Sequence, residues 1–403
     1  MRQFLNIDKF IAENITGRSE SLFAHDLKIH DELLASNIKG KKVMVIGGAG
    51  TIGSSFLKAL LLYNPGQVTV VDINENGLTE LVRDCRSSEN LTIPNNFKSY
   101  PINFGDKVFE KVFMQDAPYD IIANFAAHKH VRSEKDIYSI EAMIENNVIN
   151  AKKFLDLLVL HPPKHFFCVS TDKAANPVNI MGASKKLMEE VILAYSHKIK
   201  ITTARFANVA FSNGSLLAGF IERLTKQQPL SCPSDVKRYF VSPQESGQIC
   251  LLTCILGQSG DIFFPKLSID AHLISFKDIA IKFLETLGFE VTICKTEEEA
   301  KSKSKNIFLN QYPVYFFDSE TSGEKLYEEF YTDEEKLDLD KFEQLGIIKN
   351  AVRRNIDEID NLIKDFEMMF LNIKQKSDVV KILDTFMPSF KHIETGMNLD
   401  QKM

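Results

Sequence analysis

An ordered run near the start of the chain constrains its fold more than any other feature. Lys42-Val43-Met44-Val45-Ile46 reads as a buried strand, Gly47-Gly48-Ala49-Gly50-Thr51-Ile52-Gly53 as a glycine-rich turn, and Ser54 to Leu62 as an apolar-faced helix. A second strand, Gln67-Val68-Thr69-Val70-Val71, then ends at Asp72. Gly47, Gly50 and Gly53 permit a tight turn and let backbone come close to a pyrophosphate. The amides that open the helix, around Thr51 and Ile52, attract the charge of such a group. Asp72, about 20 residues further on, can accept hydrogen bonds from an adenosine ribose. An acid there repels a ribose phosphate, which favours NAD over NADP.

The alternation continues, with a helix from about Gly77 to Cys85 and a strand from Phe97 to Tyr100. Asn103-Phe104-Gly105-Asp106 is a turn suited to an adenine. The strand Tyr119 to Asn124 runs into Phe125-Ala126-Ala127-His128-Lys129-His130, where Ala126 and Ala127 are small enough for a dinucleotide to lie close. A long helix from about Ser139 to Leu160 contains Asn147 and is stopped by Pro162-Pro163. His165 to Val169 reads as a buried strand leading into Ser170-Thr171-Asp172-Lys173. Asn179-Ile180-Met181-Gly182-Ala183-Ser184-Lys185 then opens a helix to about His197, followed by a strand from Lys200 to Phe206 and by Asn208. Strands and helices alternating in this way predict an α/β chain with a Rossmann-type, doubly wound parallel sheet. Ligands of such sheets bind at the carboxyl ends of the strands, so Thr171, Asp172, Lys173 and Lys185 are the candidates for chemistry.

Beyond Asn208 the rhythm loosens into a polar turn, Phe211-Ser212-Asn213-Gly214-Ser215, a helix to about Lys226, and a stretch from Pro229 to Phe240 containing Arg238. A helix is predicted from Phe276 to Leu287, a solvated loop over Lys295 to Lys305, and another helix opening at Gly323 to Glu329. From Ala351 a long amphipathic helix precedes a polar tail. The expected division is an N-terminal arm (1–39), an NAD-binding domain (40–207, with 240–275 returning to it), a smaller substrate-binding lobe (208–239 and 276–350) and a C-terminal helical extension (351–403). In the arm, Phe4, Ile7, Phe10 and Ile11 suggest a short helix packed across the main domain. Arg18 there is read as a solvated arginine, with a phosphate contact as the alternative.

Composition excludes several classes. A formal charge of -6 lacks the basic excess that nucleic-acid binding needs. The six cysteines are scattered, with Cys250 and Cys254 at helical spacing, as in reduced core thiols. His128 and His130 have no further ligands at metal-binding spacing. No apolar run reaches the roughly 18 residues of a membrane span. The expectation is a cytoplasmic, soluble protein.

Together these features resemble the extended short-chain dehydrogenases/reductases, and within them the nucleotide-sugar 4,6-dehydratases of polysaccharide biosynthesis. The resemblance covers roughly residues 15 to 350. It is carried by the glycine turn, Ala126-Ala127-His128-Lys129-His130-Val131, Ser170-Thr171-Asp172-Lys173-Ala174, Asn176-Pro177, Arg205-Phe206-Ala207-Asn208-Val209, Lys237-Arg238-Tyr239-Phe240 and Gly323-Glu324-Lys325-Leu326-Tyr327. Most of that superfamily has a tyrosine four residues before the helix lysine. Met181 stands there in this chain, as in a subgroup of the dehydratases, and a thioether cannot exchange a proton. His128 stands where relatives often have tyrosine, Arg132-Ser133-Glu134 replaces an apolar follow-on, and Thr321-Ser322 replaces Arg-Pro.

The resemblance implies bound NAD, a UDP-N-acetylglucosamine or GDP-linked sugar substrate, and a homodimer through the helices at Ser139 to Leu160 and Met181 to His197. It implies oxidation at sugar C4, loss of water across C5 and C6, and reduction at C6. Asp172 is then the acid for the C6 hydroxyl and the proton acceptor at C4, and Lys173 the base at C5. Thr171 orients the C4 oxygen, and Lys185 holds the nicotinamide ribose. Asn208 and Arg238 are expected at the diphosphate, Lys129 at the sugar or cofactor, and His130, Met181, Ser215 and Glu324 around the substrate. The competing readings are a 4-epimerase or dehydrogenase of the same fold, and an idle nucleotide-sugar-binding protein.

Overall fold

The structure, a computed structural model, describes residues 5–268, 272–319, 329–372, 375–388 and 390–393. Fifteen strands run in chain order among these residues: β1 (Lys42–Ile46), β2 (Gln67–Asp72), β3 (Asn96–Pro101), β4 (Ile121–Asn124), β5 (His165–Val169), β6 (Ile201–Ala204), β7 (Asn208–Val209), β8 (Leu230–Pro233), β9 (Lys237–Val241), β10 (Ile262–Pro265), β11 (Leu273–Ser275), β12 (Glu290–Cys294), β13 (Gln311–Phe317), β14 (Leu337–Asp338) and β15 (Leu345–Ile348). Nine of them form one sheet in the order β14-β15-β10-β6-β5-β4-β1-β2-β3. It is parallel from β3 to β10, and β15 and β14 join it antiparallel. The strand order reverses between β1 and β4, so a crevice opens there at the carboxyl ends of the strands.

Side chains alternate across the sheet because the strand period is two. Val43 and Val45 of β1 face one core with Phe56, Leu57 and Leu60 of the helix Thr51–Leu61 and Ile249 and Leu252 of Pro243–Leu256. Met44 and Ile46 face the other, with Phe109, Ile144, Leu155, Leu187 and Val191. The helix expected over Ser139 to Leu160 is present as Ile137–Ile144 and Asn150–Leu160, joined by a π-helical turn at Glu145–Ile149. The helix Ile180–Ala194 is buried on nearly every side.

The smaller lobe has two sheets, β11-β9-β7 and β12-β13-β8, around Leu217, Phe220, Leu230, Phe283 and Tyr312. Several expectations are corrected. Phe10, Ile11 and Ile15 of the arm pack into this smaller lobe rather than across the main domain, although Phe23, Leu34 and Ile38 do join the main core. Arg18 is not a solvated arginine: Nε and Nη2 donate to the two oxygens of buried Glu245 at 2.9 and 2.8 Å. The expected loop at Lys295 to Lys305 is the helix Glu297–Ser302, capped by Thr296, running into a 3₁₀ turn, with Ala300 and Ile307 buried. Residues 345–348 lie in the main sheet, not in the smaller lobe to which 276–350 was assigned. The polar tail after Ile356–Leu371 holds a further helix, Lys376–Phe386. Ile359, Phe366, Val379, Leu383, Met387 and Phe390 of this extension are all buried in the second core. No helix among the described residues is long and apolar enough to cross a membrane.

Candidate active site

The glycine turn sits at the mouth of the crevice, and its Gly47 and Gly53 have no room for side chains. Gly47 has φ of 75°, and a Cβ there would lie 2.6 Å from the Ala126 amide nitrogen. A Cβ on Gly53 would lie 2.2 Å from the Gly47 carbonyl oxygen. The helix Thr51–Leu61 starts from Gly50 with no side-chain cap, which leaves its first amides for an anion. Asp72 ends β2, and its two carboxylate oxygens accept from the Ala49 and Asn74 amides at 2.9 Å each. It therefore braces the turn while keeping lone pairs for a ribose.

Across the crevice, the segment after β4 is held by Asn147 in the π turn. Its Oδ1 accepts from the His128 amide at 2.8 Å, and its Nδ2 donates to the His128 carbonyl at 2.9 Å and to Ser184 Oγ at 3.1 Å. Asn147 thus fixes the backbone at His128 relative to the helix Ile180–Ala194 with both ends of its own amide engaged. Asn103 closes its turn by accepting from the Gly105 amide at 2.9 Å, and the Phe104 ring packs on Phe109 and Phe154 in the core.

At the end of β5, Asp172 is 3% exposed. One of its oxygens accepts the Thr171 hydroxyl at 2.8 Å, the Lys173 amide at 2.9 Å and the Lys173 ammonium at 3.1 Å. The acid and amine neighbouring in sequence are thus also paired in space. Lys185 Nζ donates to the Val169 carbonyl at 2.9 Å beside the Met188 sulfur. Burial pulls this amine down to about 8 against the upward effect of Cys168 and Glu189. Met181 is 1% exposed, with its thioether among core residues.

The polar turn after β7 joins the two sides. The Asn213 amide donates to Thr51 Oγ1 at 2.9 Å, while its carbonyl accepts from Lys129 Nζ at 2.9 Å. Gly214 lies against the His130 imidazole. Thr51, Lys129 and His130 are therefore gathered around one turn, and Ser215 caps the helix Leu216–Thr225 that leaves it. Arg238 is buried and donates to the Lys237 carbonyl at 2.9 Å. The Asn208 Nδ2 is buried with no hydrogen-bond partner among the described residues, as a donor awaiting a ligand would be. Glu324 lies outside the described residues.

Two features were not singled out from the sequence. Ser170 Oγ donates at 2.6 Å to Glu189, which is fully buried and paired with Arg205, itself paired with Glu335. Glu134 accepts the Met181 amide at 2.8 Å. Arg205 stood within one of the recognised segments and Glu134 within a departure from the pattern, but nothing local names their partners. Among the described residues no cluster of three or more His, Cys, Asp or Glu could hold a metal ion.

Comparison with known proteins identifies the family and the fold. Residues 43–350 match the polysaccharide biosynthesis protein family. An uncharacterized membrane protein of Methanocaldococcus jannaschii is 29% identical over 77% of this chain and 86% of its own. The probable polysaccharide biosynthesis protein EpsC of Bacillus subtilis is 25% identical over 88% of this chain, which spans only 54% of that relative. A UDP-N-acetylglucosamine 4,6-dehydratase (inverting) of Campylobacter jejuni is 27% identical over 57% of this chain and 67% of its own. A UDP-glucose 4-epimerase of Rickettsia typhi is 30% identical over 56% and 66%. Among solved structures, Pen of Bacillus thuringiensis superposes with a TM-score of 0.64 at 22% identity, over 82% of this chain and 98% of that one. DesIV of Streptomyces venezuelae, a dTDP-glucose 4,6-dehydratase with NAD bound, superposes with a TM-score of 0.55 at 19% identity, over 72% and 87%. The chain belongs to the polysaccharide biosynthesis protein family and has the Rossmann-type fold of the extended short-chain dehydrogenases/reductases.

Proposed function

We propose that the chain is an NAD-dependent nucleotide-sugar 4,6-dehydratase that acts on UDP-N-acetylglucosamine, or on a GDP-linked equivalent, in surface-glycan synthesis. The observation that carries this reading is the Asp172–Lys173 pair after β5, bonded at 3.1 Å, with buried Lys185 held on the Val169 carbonyl at the end of the same strand. NAD fits the crevice because the glycine turn is closed to any Cβ at Gly47 and Gly53 and Asp72 stands at the end of β2. Bound there, NAD supplies the reversible hydride acceptor that a temporary C4 ketone requires.

The protein's own share is proton movement and orientation. The Asp172 carboxylate takes the proton of the C4 hydroxyl, which Thr171 orients. Protonated, it then gives that proton to the departing C6 hydroxyl, which leaves as water. Lys173, as a neutral amine, removes the C5 proton that the C4 ketone has made acidic, and later returns it to C5. After the elimination the pair stands as carboxylate and ammonium, which is the ion pair observed. Returning that proton to C5 leaves Lys173 neutral and Asp172 ionised, as the next cycle requires. Groups of this kind supply about two to four orders of magnitude each. Lys185 holds a ribose diol, and Asn208 and Arg238 grip the diphosphate, for which the guanidinium fork is suited.

The likeness to a UDP-glucose 4-epimerase favours a second reading, 4-epimerisation, for which the missing phenol at Met181 is the obstacle. Incubation with UDP-N-acetylglucosamine and, separately, GDP-N-acetylglucosamine, followed by mass spectrometry, tests the proposal. Loss of one water from either sugar supports it and names the nucleotide. A C4-inverted sugar of unchanged mass overturns it in favour of epimerisation, and no product from either overturns both.

A further inference from the structure

The C-terminal extension lies beyond the region shared with the family, yet it reaches the start of the helix that carries Met181 and Lys185. A helix start leaves four amides without intrahelical partners. Here Asn179 caps the Gly182 amide at 2.7 Å, and the Met181 amide is taken by the carboxylate of Glu134 at 2.8 Å, an anion on the favourable end of the helix dipole. Glu134 is 8% exposed, and its other oxygen lies 3.8 Å from both Lys376 Nζ and His392 Nε2 of the extension. One residue on from that histidine, the Ile393 amide donates to the Val178 carbonyl at 2.9 Å, in the loop between Lys173 and the helix.

The extension is anchored independently of these contacts. Arg354 bridges Glu190 of the same helix and the Phe386 carbonyl, at 2.9 and 2.8 Å, and stacks over the Phe386 ring. Met387 and Phe390 are buried just before the clasping residues. The extension is thus brought back both onto the helix Ile180–Ala194, at Glu190, and onto the loop that enters it, at Val178.

We propose that Lys376, His392 and Ile393 form an intramolecular clasp on the active-site loop, and that Glu134 is a positioning residue that passes the clasp's hold to the backbone at Met181. The consequence for turnover rests on the dehydratase reading, whereas the mechanical contact does not. Holding Val178 and Met181 fixes the loop between the Asp172–Lys173 pair and Lys185, so the extension sets how the proton-transfer groups face the nicotinamide side of the crevice.

The test uses the full chain and three variants: Glu134→Ala, which removes the acceptor; Glu134→Gln, which keeps an oxygen but no charge; and Ile393→Pro, which removes only the donor at the end of the clasp. Amide hydrogen exchange over residues 174–183 reads the contact without any substrate. Turnover and the Kd for NAD then read its effect on the site, and thermal unfolding reports general damage. The clasp predicts that Glu134→Ala speeds exchange at the Met181 amide about tenfold or more and lowers kcat by a similar factor, the scale of one charge-assisted hydrogen bond. The Kd for NAD should stay within about twofold and the melting temperature within a few degrees, as a local loss implies. Glu134→Gln, which keeps an acceptor for the Met181 amide but loses the charge facing Lys376 and His392, should recover only part of both effects, and Ile393→Pro should shift both in the same direction as Glu134→Ala. Unchanged exchange in both Glu134→Ala and Ile393→Pro overturns the clasp. Faster exchange with kcat unchanged overturns the positioning role. If the unmodified chain turns over no nucleotide sugar, the functional reading falls while exchange still decides the clasp.

Discussion

Replacing Arg205 by leucine is the perturbation that the interior should resist most strongly. The guanidinium is fully buried and donates Nε and Nη2 to Glu189 at 2.8 Å each, Nη1 and Nη2 to Glu335 at 2.9 Å each, and Nη1 to the Phe330 carbonyl at 3.1 Å. Each charge-assisted bond is worth about 1.5–3 kcal/mol, but removing the charges from water offsets most of the sum. What the variant leaves behind sets the magnitude. Arg205→Leu strands the Glu189 carboxylate in the core, and breaking a buried pair from one side costs about 3–5 kcal/mol.

Acid titration gives this prediction a sign. Burial pushes the Glu189 carboxyl up, but Arg205 overrides it, by charge and by hydrogen bond, and holds the group below its usual range. In the native chain this contribution is complete above the unfolded carboxyl value of about 4.3 and is lost as pH falls through the lower folded value. In Arg205→Leu the upward push of burial is opposed only by Lys186 and the Ser170 hydroxyl, so the folded variant takes up a proton on acidification and gains stability relative to its unfolded chain. The gap between native and variant should narrow between about pH 7.5 and about pH 5.5. Urea unfolding of both proteins at the two pH values measures it. A gap near the 1 kcal/mol or less of an exposed ion pair, or one that widens in acid, refutes the reasoning.

Other expectations follow from the crevice. Asp172→Asn and Lys173→Ala should each lower turnover by about two to four orders of magnitude with NAD still bound, as stopped-flow turnover and fluorescence titration would read. The Lys185 amine, pulled by burial to about 8, carries its charge below that pH and loses it above. NAD affinity should accordingly weaken as pH climbs past about 8, and Lys185→Arg, charged throughout, should show no such fall. Gly53→Ala puts a methyl 2.2 Å from the Gly47 carbonyl, so the turn must open and calorimetry should find NAD binding lost.

The parts of this architecture readable from the sequence are those set by short-range pattern. Apolar runs of five or six residues between helical periods gave β1, β2 and β5 nearly to the residue, because strands buried on both faces have little other composition. The glycine turn and the acid at Asp72 follow from close backbone approach, which only glycine allows. The helix Glu297–Ser302 was hidden because it buries little beyond Ala300, so its Lys and Glu content reads as loop. The short β14 and β15 acquire meaning only from the strand they extend. Glu134 illustrates the rest: its partner is a backbone amide 47 residues on, and no side-chain pattern in either segment announces it. Asp172 and Lys173 were legible as neighbours, whereas their contact at 3.1 Å required coordinates.

The most direct measurement follows a deuterium atom placed at C4 of UDP-N-acetylglucosamine, with the GDP-linked sugar run in parallel. The account predicts a product lighter by one water in which the label is found at C6. Label returned to C4 of a sugar of unchanged mass, or both sugars recovered untouched by NAD-replete protein, would contradict it.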